Sequence, residues 1–415
     1  MFKKLFKMQW VLLAMFATML PLGSEVAFAH GERAQQAGLR MRTMNWFDVE
    51  ISPVNVQVND VVTIKGKFNP STWWPDHMAS IEESAFLNVG VAGPAFVRID
   101  SRVNGIPMIR STSFKLGKTY EFEIKIKARS PGRYHAHPVM SIEGAGPIIG
   151  PGTWLEVGGS QDDFVNTVET LTGETIDLET YGLTAIIWTH SFWLIVGIAW
   201  LAYWFRKTPV IMPRYNKIVE EGERRAGELI TMQDMVVSFL FFVFTLVSIT
   251  GGYFWAQNEY PITTPLQTSK VVVPVLADQE HVLDIKVVKA TYRIPGRSFK
   301  LDLEVTNLSD RTLRVGEFST ANIRFINKDV QPGLTRVDKQ DLIAPDGLVV
   351  EGGAILPGQT TTISVYADDA LWETYRLTSL IYDPDSRFAG MLFFFDENGE
   401  RFHYEVGGAM LPEFT

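Results

Sequence analysis

Two histidines stand one residue apart in Tyr134-His135-Ala136-His137. On an extended strand, side chains at i and i+2 leave the same face. Both imidazoles then converge on one point while Ala136 turns away. A third nitrogen donor comes from the start of the chain. Residues 1–29 read as a secretory signal: Lys3, Lys4 and Lys7 precede an apolar core from Trp10 to Leu22, Pro21 and Gly23 break it, and Ala27-Phe28-Ala29 is the cleavage site. Cleavage there makes His30 the new N-terminus, which offers an α-amine and an imidazole to one ion. Such nitrogen donors suit copper, which tops the divalent affinity series. The expectation is a copper site built from His30, His135 and His137. The competing plain readings are an uncleaved anchor for the first segment and a solvated strand face for the His-x-His pair.

The chain has 415 residues, enough for two or three structural units. Its formal net charge is −9; residues 1–29 hold three Lys and one Glu, a net of two positive charges, so the processed chain carries −11. That acidity argues against a nucleic-acid partner, which needs a basic face. There is no cysteine. Disulfides, a blue-copper thiolate, an iron–sulfur cluster and a Cys nucleophile are therefore excluded.

The elements that must position the histidines are strands. Residues 30–170 alternate apolar and polar over Val54–Val58, Val61–Phe68 and Tyr120–Ala128, with turns at Asn59-Asp60, Asn104-Gly105 and Ser130-Pro131-Gly132. This predicts a β-sandwich with the histidine pair on the strand leaving the last turn. Gly144 to Gly152 is expected as a rigid, polar-poor loop. Residues 183–205 and 235–255 carry no charge and are each long enough to span a bilayer. The loop 206–234 between them holds Arg206, Lys207, Arg214, Lys217, Arg224 and Arg225, which marks it as cytoplasmic. Both flanking segments then lie on the exported side. Trp188, Trp193, Trp200, Tyr203 and Trp204 line the first span, and Tyr253 and Trp255 end the second; Trp193 is expected to pack on a partner helix. Residues 270–415 return to strand patterning, with a short helix expected over Ala370–Ile381, capped by Asp368 or Asp369. Pro295-Gly-Arg297 faintly echoes Pro131-Gly-Arg133. His281 and His403 read as surface residues, and His77 and His190 as structural ones.

Several ordered segments carry a resemblance: His30-Gly-Glu-Arg33, Leu39 to Asp48, Phe86 to Gly90, Lys127 to His137, Gly146 to Gly152, Leu171 to Asp177, Thr320 to Asn327 and Asp383 to Arg387. Through them the chain resembles the B subunit of the copper membrane monooxygenases, the methane and ammonia monooxygenase family. The resemblance implies a mainly β fold class: two cupredoxin-like β-sandwich domains on the periplasmic side, joined by a transmembrane helical hairpin. It implies His30, His135 and His137 as copper ligands, with Glu32 as a candidate outer partner of that site, the alternative for Glu32 being a solvated charge. It also implies assembly with the A and C membrane subunits as a trimer of heterotrimers. The implied reaction is O2-dependent hydroxylation of a small substrate, with quinol as electron donor, in a bacterial inner or intracytoplasmic membrane.

One departure bears on metal content. Some methane-oxidising relatives carry histidines where this chain has Asn45 and Asn69. Asn is a poor copper ligand, so no additional copper is expected there. Pro131-Gly-Arg133, Glu174 to Asp177 and Ser386-Arg-Phe388 look closer to the ammonia-oxidising branch, but related short-alkane enzymes blur that line, and a substrate pocket in the membrane subunits would make this chain a weak reporter of substrate. Two other functions compete. A membrane-anchored periplasmic copper chaperone would use the same histidines and release its metal, yet the 14 Met are scattered, with no cluster beside His30. A pure scaffold of two sandwiches leaves the histidine arrangement without a purpose.

Overall fold

The computed structural model describes residues 35–170, 172–206, 216, 219–220, 230–261, 271–293, 298–336, 341–375, 377–382 and 385–414. His30, Glu32 and the signal 1–29 lie outside the described residues, as do Pro295-Gly-Arg297, Asp383-Pro384 and most of the basic loop. The chain divides into two compact units, 1–164 with 269–415, and 165–268.

In the first unit a short helix, α1 (Ala37–Thr43), leads into a sandwich of two sheets. Its strands are β1 (Met44–Ser52), β2 (Asn55–Gln57), β3 (Val61–Pro70), β4 (Ala85–Gly90), β5 (Phe96–Val103), β6 (Ile106–Pro107), β7 (Tyr120–Ala128), β8 (Gly132–Ile142), β9 (Gly146–Ile149) and β10 (Thr153–Gly158). One sheet runs β1-β3-β7-β5-β6, the other β2-β10-β8-β4, with β9 paired to β8. Strand β7 shows why the sheets stack. Tyr120, Phe122, Ile124, Ile126 and Ala128 are buried while the intervening Glu121, Glu123, Lys125 and Lys127 are not. The core between the sheets is aromatic at one end, where Phe68 stacks on Tyr120 at 5.3 Å and Trp46 meets Phe122 edge-on at 5.3 Å. Each such fully buried ring is worth roughly 1.5–3 kcal/mol of transfer free energy. Gly144–Gly152 is not a plain loop: its Gly146–Ile149 portion pairs with Val139–Ile142 of β8. Backbone pairing, invisible to a composition that lacks β-branched alternation, makes this stretch a strand.

The second sandwich of this unit also has two five-stranded sheets, built from residues 283–413. Its core includes Phe299, Phe318, Phe325, Trp372, Phe388 and Phe394, all buried. The helix expected over Ala370–Ile381 is one short α turn, Leu371–Thr374, followed by a 3-10 segment, Leu377–Tyr382; Asp369 Oδ1 accepts from Leu371 N at 2.8 Å.

The two sandwiches interlock. Arg42 of α1, its side chain 2% exposed, pairs with Asp385 at 2.7 Å. Thr72 donates from its amide and hydroxyl to Glu405 Oε2 at 3.0 and 2.7 Å. Trp73 packs against Gly407, where an added Cβ would come within 2.2 Å of the indole nitrogen. Asp48 is paired with Arg401, and Phe47 packs edge-on against Phe393 at 5.7 Å. His403 sits in this interface and is not a surface residue. Its ring lies 5.0 Å from Phe47, and its Nε2 is 3.2 Å from Thr119 Oγ1. Strand alternation alone put it outside, because a second domain covering the outer face leaves no mark on period two. His281 is exposed, as expected.

In the second unit the helices α2 (Leu183–Phe205) and α3 (Met232–Glu259) are long and apolar enough to cross a membrane. The second helix is longer than its charge-free stretch. It starts in a capping box in which Thr231 and Asp234 exchange bonds, and Asp234 Oδ1 also accepts from Tyr203 at 2.6 Å. A carboxylate inside the first turn is favourable there because unpaired amides and the helix dipole face it. Ring contacts between the helices are Trp200 on Phe241, 4.2 Å apart, and Phe192 near Phe244. The Trp193 ring contacts Phe192 on its own helix. Apolar side chains such as Trp188 and Ile195 project outward, 73% and 65% exposed.

Candidate metal centre

Strand β8 carries both histidines near the middle of its sheet. Ala136, Met140 and Ile142 point into the core, and Tyr134 packs against it. His135 and His137 occupy the opposite face. Their rings stand edge to face with centroids 4.4 Å apart at 85°. Register places Trp154 of β10 directly opposite His135, and Gly90 of β4 opposite His137. The pair therefore sits where β8 changes partners, β10 on one side giving way to β4 and β9 farther along.

His137 is 5% exposed although it faces away from the core. The turn after β9 covers it. Gly150 O lies 3.0 Å from His137 Nδ1. A carbonyl can only accept, so Nδ1 carries the proton and, in the neutral ring, Nε2 keeps its lone pair. Gly152 closes over the same ring: a Cβ there would lie 2.4 Å from Nδ1 and 2.5 Å from Cε1. Two residues on, Trp154 tilts against His135 with centroids 4.8 Å apart, and the Arg133 guanidinium lies 4.5 Å over the indole. Arg133 is in turn paired with Glu156 at 3.0 Å. His135 thus has a wall on one side and His137 on the other.

The donor set fits a soft-to-borderline cation such as copper. It consists of two neighbouring imidazoles, one of them oriented by a backbone carbonyl, the usual arrangement behind a metal-bound histidine. Among the described residues no group of three or more His, Cys, Asp or Glu is placed so that it could hold a metal ion. Two of the three ligands expected from the sequence are brought together, and the third, His30, lies outside the described residues with Glu32. The nearest described part of the N-terminal segment is Gln35. Its amide donates to Pro147 O, and its Oε1 accepts from Ile149 N at 3.5 Å. Five residues of chain reach at most about 17 Å, and Gln35 is docked one residue away from the carbonyl that holds His137.

The other histidines stand apart. His77 is exposed between β3 and β4, and His190 Nδ1 bonds Ile186 O at 2.8 Å within α2. Asn45 and Asn69 are directly opposed across β1 and β3, 6% and 4% exposed. Asn69 Nδ2 donates to Thr119 Oγ1 at 3.4 Å, which continues to His403. Sequence reasoning missed Gly150, Gly152 and Trp154. The Gly-Pro-Gly run shortly after the histidines was the available signal, since two glycines bracket the place where a ring lies against backbone.

The family of monooxygenase B-subunit proteins matches residues 31–414. The particulate methane monooxygenase alpha subunit of Methylococcus capsulatus is 44% identical over 391 residues, spanning 94% of this chain and 93% of that protein. Among solved structures, the cupredoxin domain of amoB from Nitrosocaldus yellowstonii is similar over 29% of this chain and 91% of its own length, at 16% identity and a TM-score of 0.24, too slight a likeness to place residues.

Proposed function

The chain belongs to the monooxygenase B-subunit family, and on that ground we propose that it is the copper-binding subunit of a membrane-bound, O2-dependent monooxygenase. It is a subunit of an oxidoreductase, and its two long apolar helices make it a membrane protein. The observation that carries the copper reading is the His135–His137 pair, with the Gly150 carbonyl accepting from Nδ1 of His137 and so placing the ring's lone pair on Nε2. His30, freed by cleavage after Ala29, supplies its α-amine and imidazole. Glu32 is the proposed outer partner of this site. Copper bound there would supply the Cu(I)/Cu(II) couple that reduction of O2 needs.

The protein's own part is to hold four neutral nitrogen donors from three histidines rigidly. Trp154 and Gly152 limit the swing of the rings, and the covering turn keeps water off His137. The overall reaction places one atom of O2 in a small substrate, ammonia to hydroxylamine or methane or a short alkane to its alcohol. The other atom leaves as water, with two electrons from quinol. The A and C membrane subunits complete the complex as a trimer of heterotrimers. Both cupredoxin-like domains lie on the periplasmic side, 30–170 and 270–415, around the spans 183–205 and 235–255 and the cytoplasmic loop 206–234.

The test is metal analysis of the purified membrane complex with X-ray absorption at the copper edge. The expected shell is nitrogen at roughly 2 Å, by analogy with metal–imidazole bonds. A complex whose copper content is the same with and without His135 and His137 would end this reading.

A further inference from the structure

We propose that Asn322, in the second sandwich, is a positioning residue for the metal site in the first; this rests on the reading of His135 and His137 as copper ligands. Asn322 lies in the two-residue turn between the strands Arg314–Thr320 and Ile323–Ile326. Thr320 pairs with Ile323, and the φ angles of Ala321 and Asn322 are +49° and +69°. Two positive φ values define the type I′ turn that joins twisted strands tightly. Asn is among the few side-chain-bearing residues that accept that conformation readily.

The turn delivers the Asn322 amide to the neighbouring sandwich. Its Nδ2 donates to Ile149 O at 2.9 Å. The same peptide unit ends in Gly150 N, which donates to Pro138 O at 2.8 Å. A peptide unit is planar, so Asn322 and Pro138 hold its two polar ends and fix its plane. The next carbonyl along the chain is Gly150 O, the acceptor for His137 Nδ1 at 3.0 Å. Asn322 therefore acts on His137 across one Cα: it fixes the peptide plane on the N-terminal side of Gly150, from which the Gly150 carbonyl departs, and so bears on where that carbonyl points and with it on the direction of Nε2. On the other side of this turn Gln35 holds Pro147 and Ile149. The covering turn is thus clamped between the segment leading from His30 and a turn of the other sandwich. This gives the second sandwich a role in metal binding without a ligand of its own.

The test uses the full chain in isolated membranes with its partners, stripped of metal and titrated with Cu(II), read by electron paramagnetic resonance. Asn322→Gly keeps the turn, because glycine adopts positive φ freely, and removes only the amide. Asn322→Asp keeps the shape but sets an acceptor against Ile149 O. Both variants should weaken Cu(II) binding by about tenfold, the lower end for outer partners of metal-bound histidines, and alter the nitrogen hyperfine pattern, Asp more than Gly. Wild-type affinity and spectrum in Asn322→Gly would overturn the proposal. So would a loss that merely tracks a lower melting temperature with the spectrum unchanged. His137→Ala is measured alongside. A wild-type copper signal in His137→Ala refutes the underlying site. Loss of that signal with an unaltered Asn322→Gly refutes only the role of Asn322.

Discussion

His135 and His137 stand edge to face, 4.4 Å between ring centroids, on the face of β8 that points away from its core. Because Ala136 fills the core between them and is fully buried, removing either ring leaves the core between the sheets filled, and loss of the His137 ring opens space only beneath the Gly150–Gly152 turn. His137→Ala should therefore leave the complex assembled and lower copper at this site at least about tenfold. Gly152→Ala should do nearly the same by pushing the His137 ring aside, since its Cβ would sit 2.4 Å from Nδ1. His281→Ala, at an exposed position, is the control expected to be silent. Copper stoichiometry and absorption spectra decide it; full occupancy with an unchanged nitrogen shell in His137→Ala contradicts the site.

Processing should expose His30. Intact-mass analysis and N-terminal sequencing should find a mature chain starting there, and a start at any other residue removes the amine chelate. The α-amine must lose a proton to bind, and its reference pKa is about 7.7–8.0. Copper affinity should accordingly fall as pH drops below that range. Adding one residue before His30 should weaken binding and flatten this dependence.

Topology gives a third expectation. Protease applied to right-side-out spheroplasts should degrade the two β domains and spare the loop 206–234, whose six basic residues mark the cytoplasmic side. Loop cleavage from outside would invert the orientation.

His403 predicts a pH dependence at the interface between the sandwiches. Burial lowers its pKa, with Arg401 and Lys67 adding to the effect and Asp48 opposing it, from 6.5 to about 4. Burial raises the Asp48 carboxyl, but its bond to Arg401 and the charges of Arg401, Lys67 and Arg324 hold it below the usual range, so it stays ionised across this window. Between pH 6.5 and 4 the unfolded chain binds the His403 proton and the folded chain does not. Stability is therefore intact above 6.5 and lost as pH falls toward 4, by at most about 1.4 kcal/mol per pH unit. His403→Gln should flatten the melting temperature against pH in this window. Parallel curves for the two proteins would show that His403 is not the titrating group.

The strand Tyr120–Ala128 runs between the bounds its alternation marks, and the first apolar helix between the bounds its missing charges mark. The same-face placement of His135 and His137 follows from strand period alone. These are local properties, set by backbone geometry and by side-chain polarity within one element, and so they are written in consecutive residues. Other features came only with the tertiary structure: the Gly150 carbonyl at His137, Trp154 opposite His135, Gly146–Ile149 as a strand, His403 under a second domain and Asn322 reaching Ile149. Each depends on which segment lies beside which across up to hundreds of residues. Sheet register and domain packing decide that, because one outward-facing residue can be left to solvent or covered by a neighbour with no change in its local pattern.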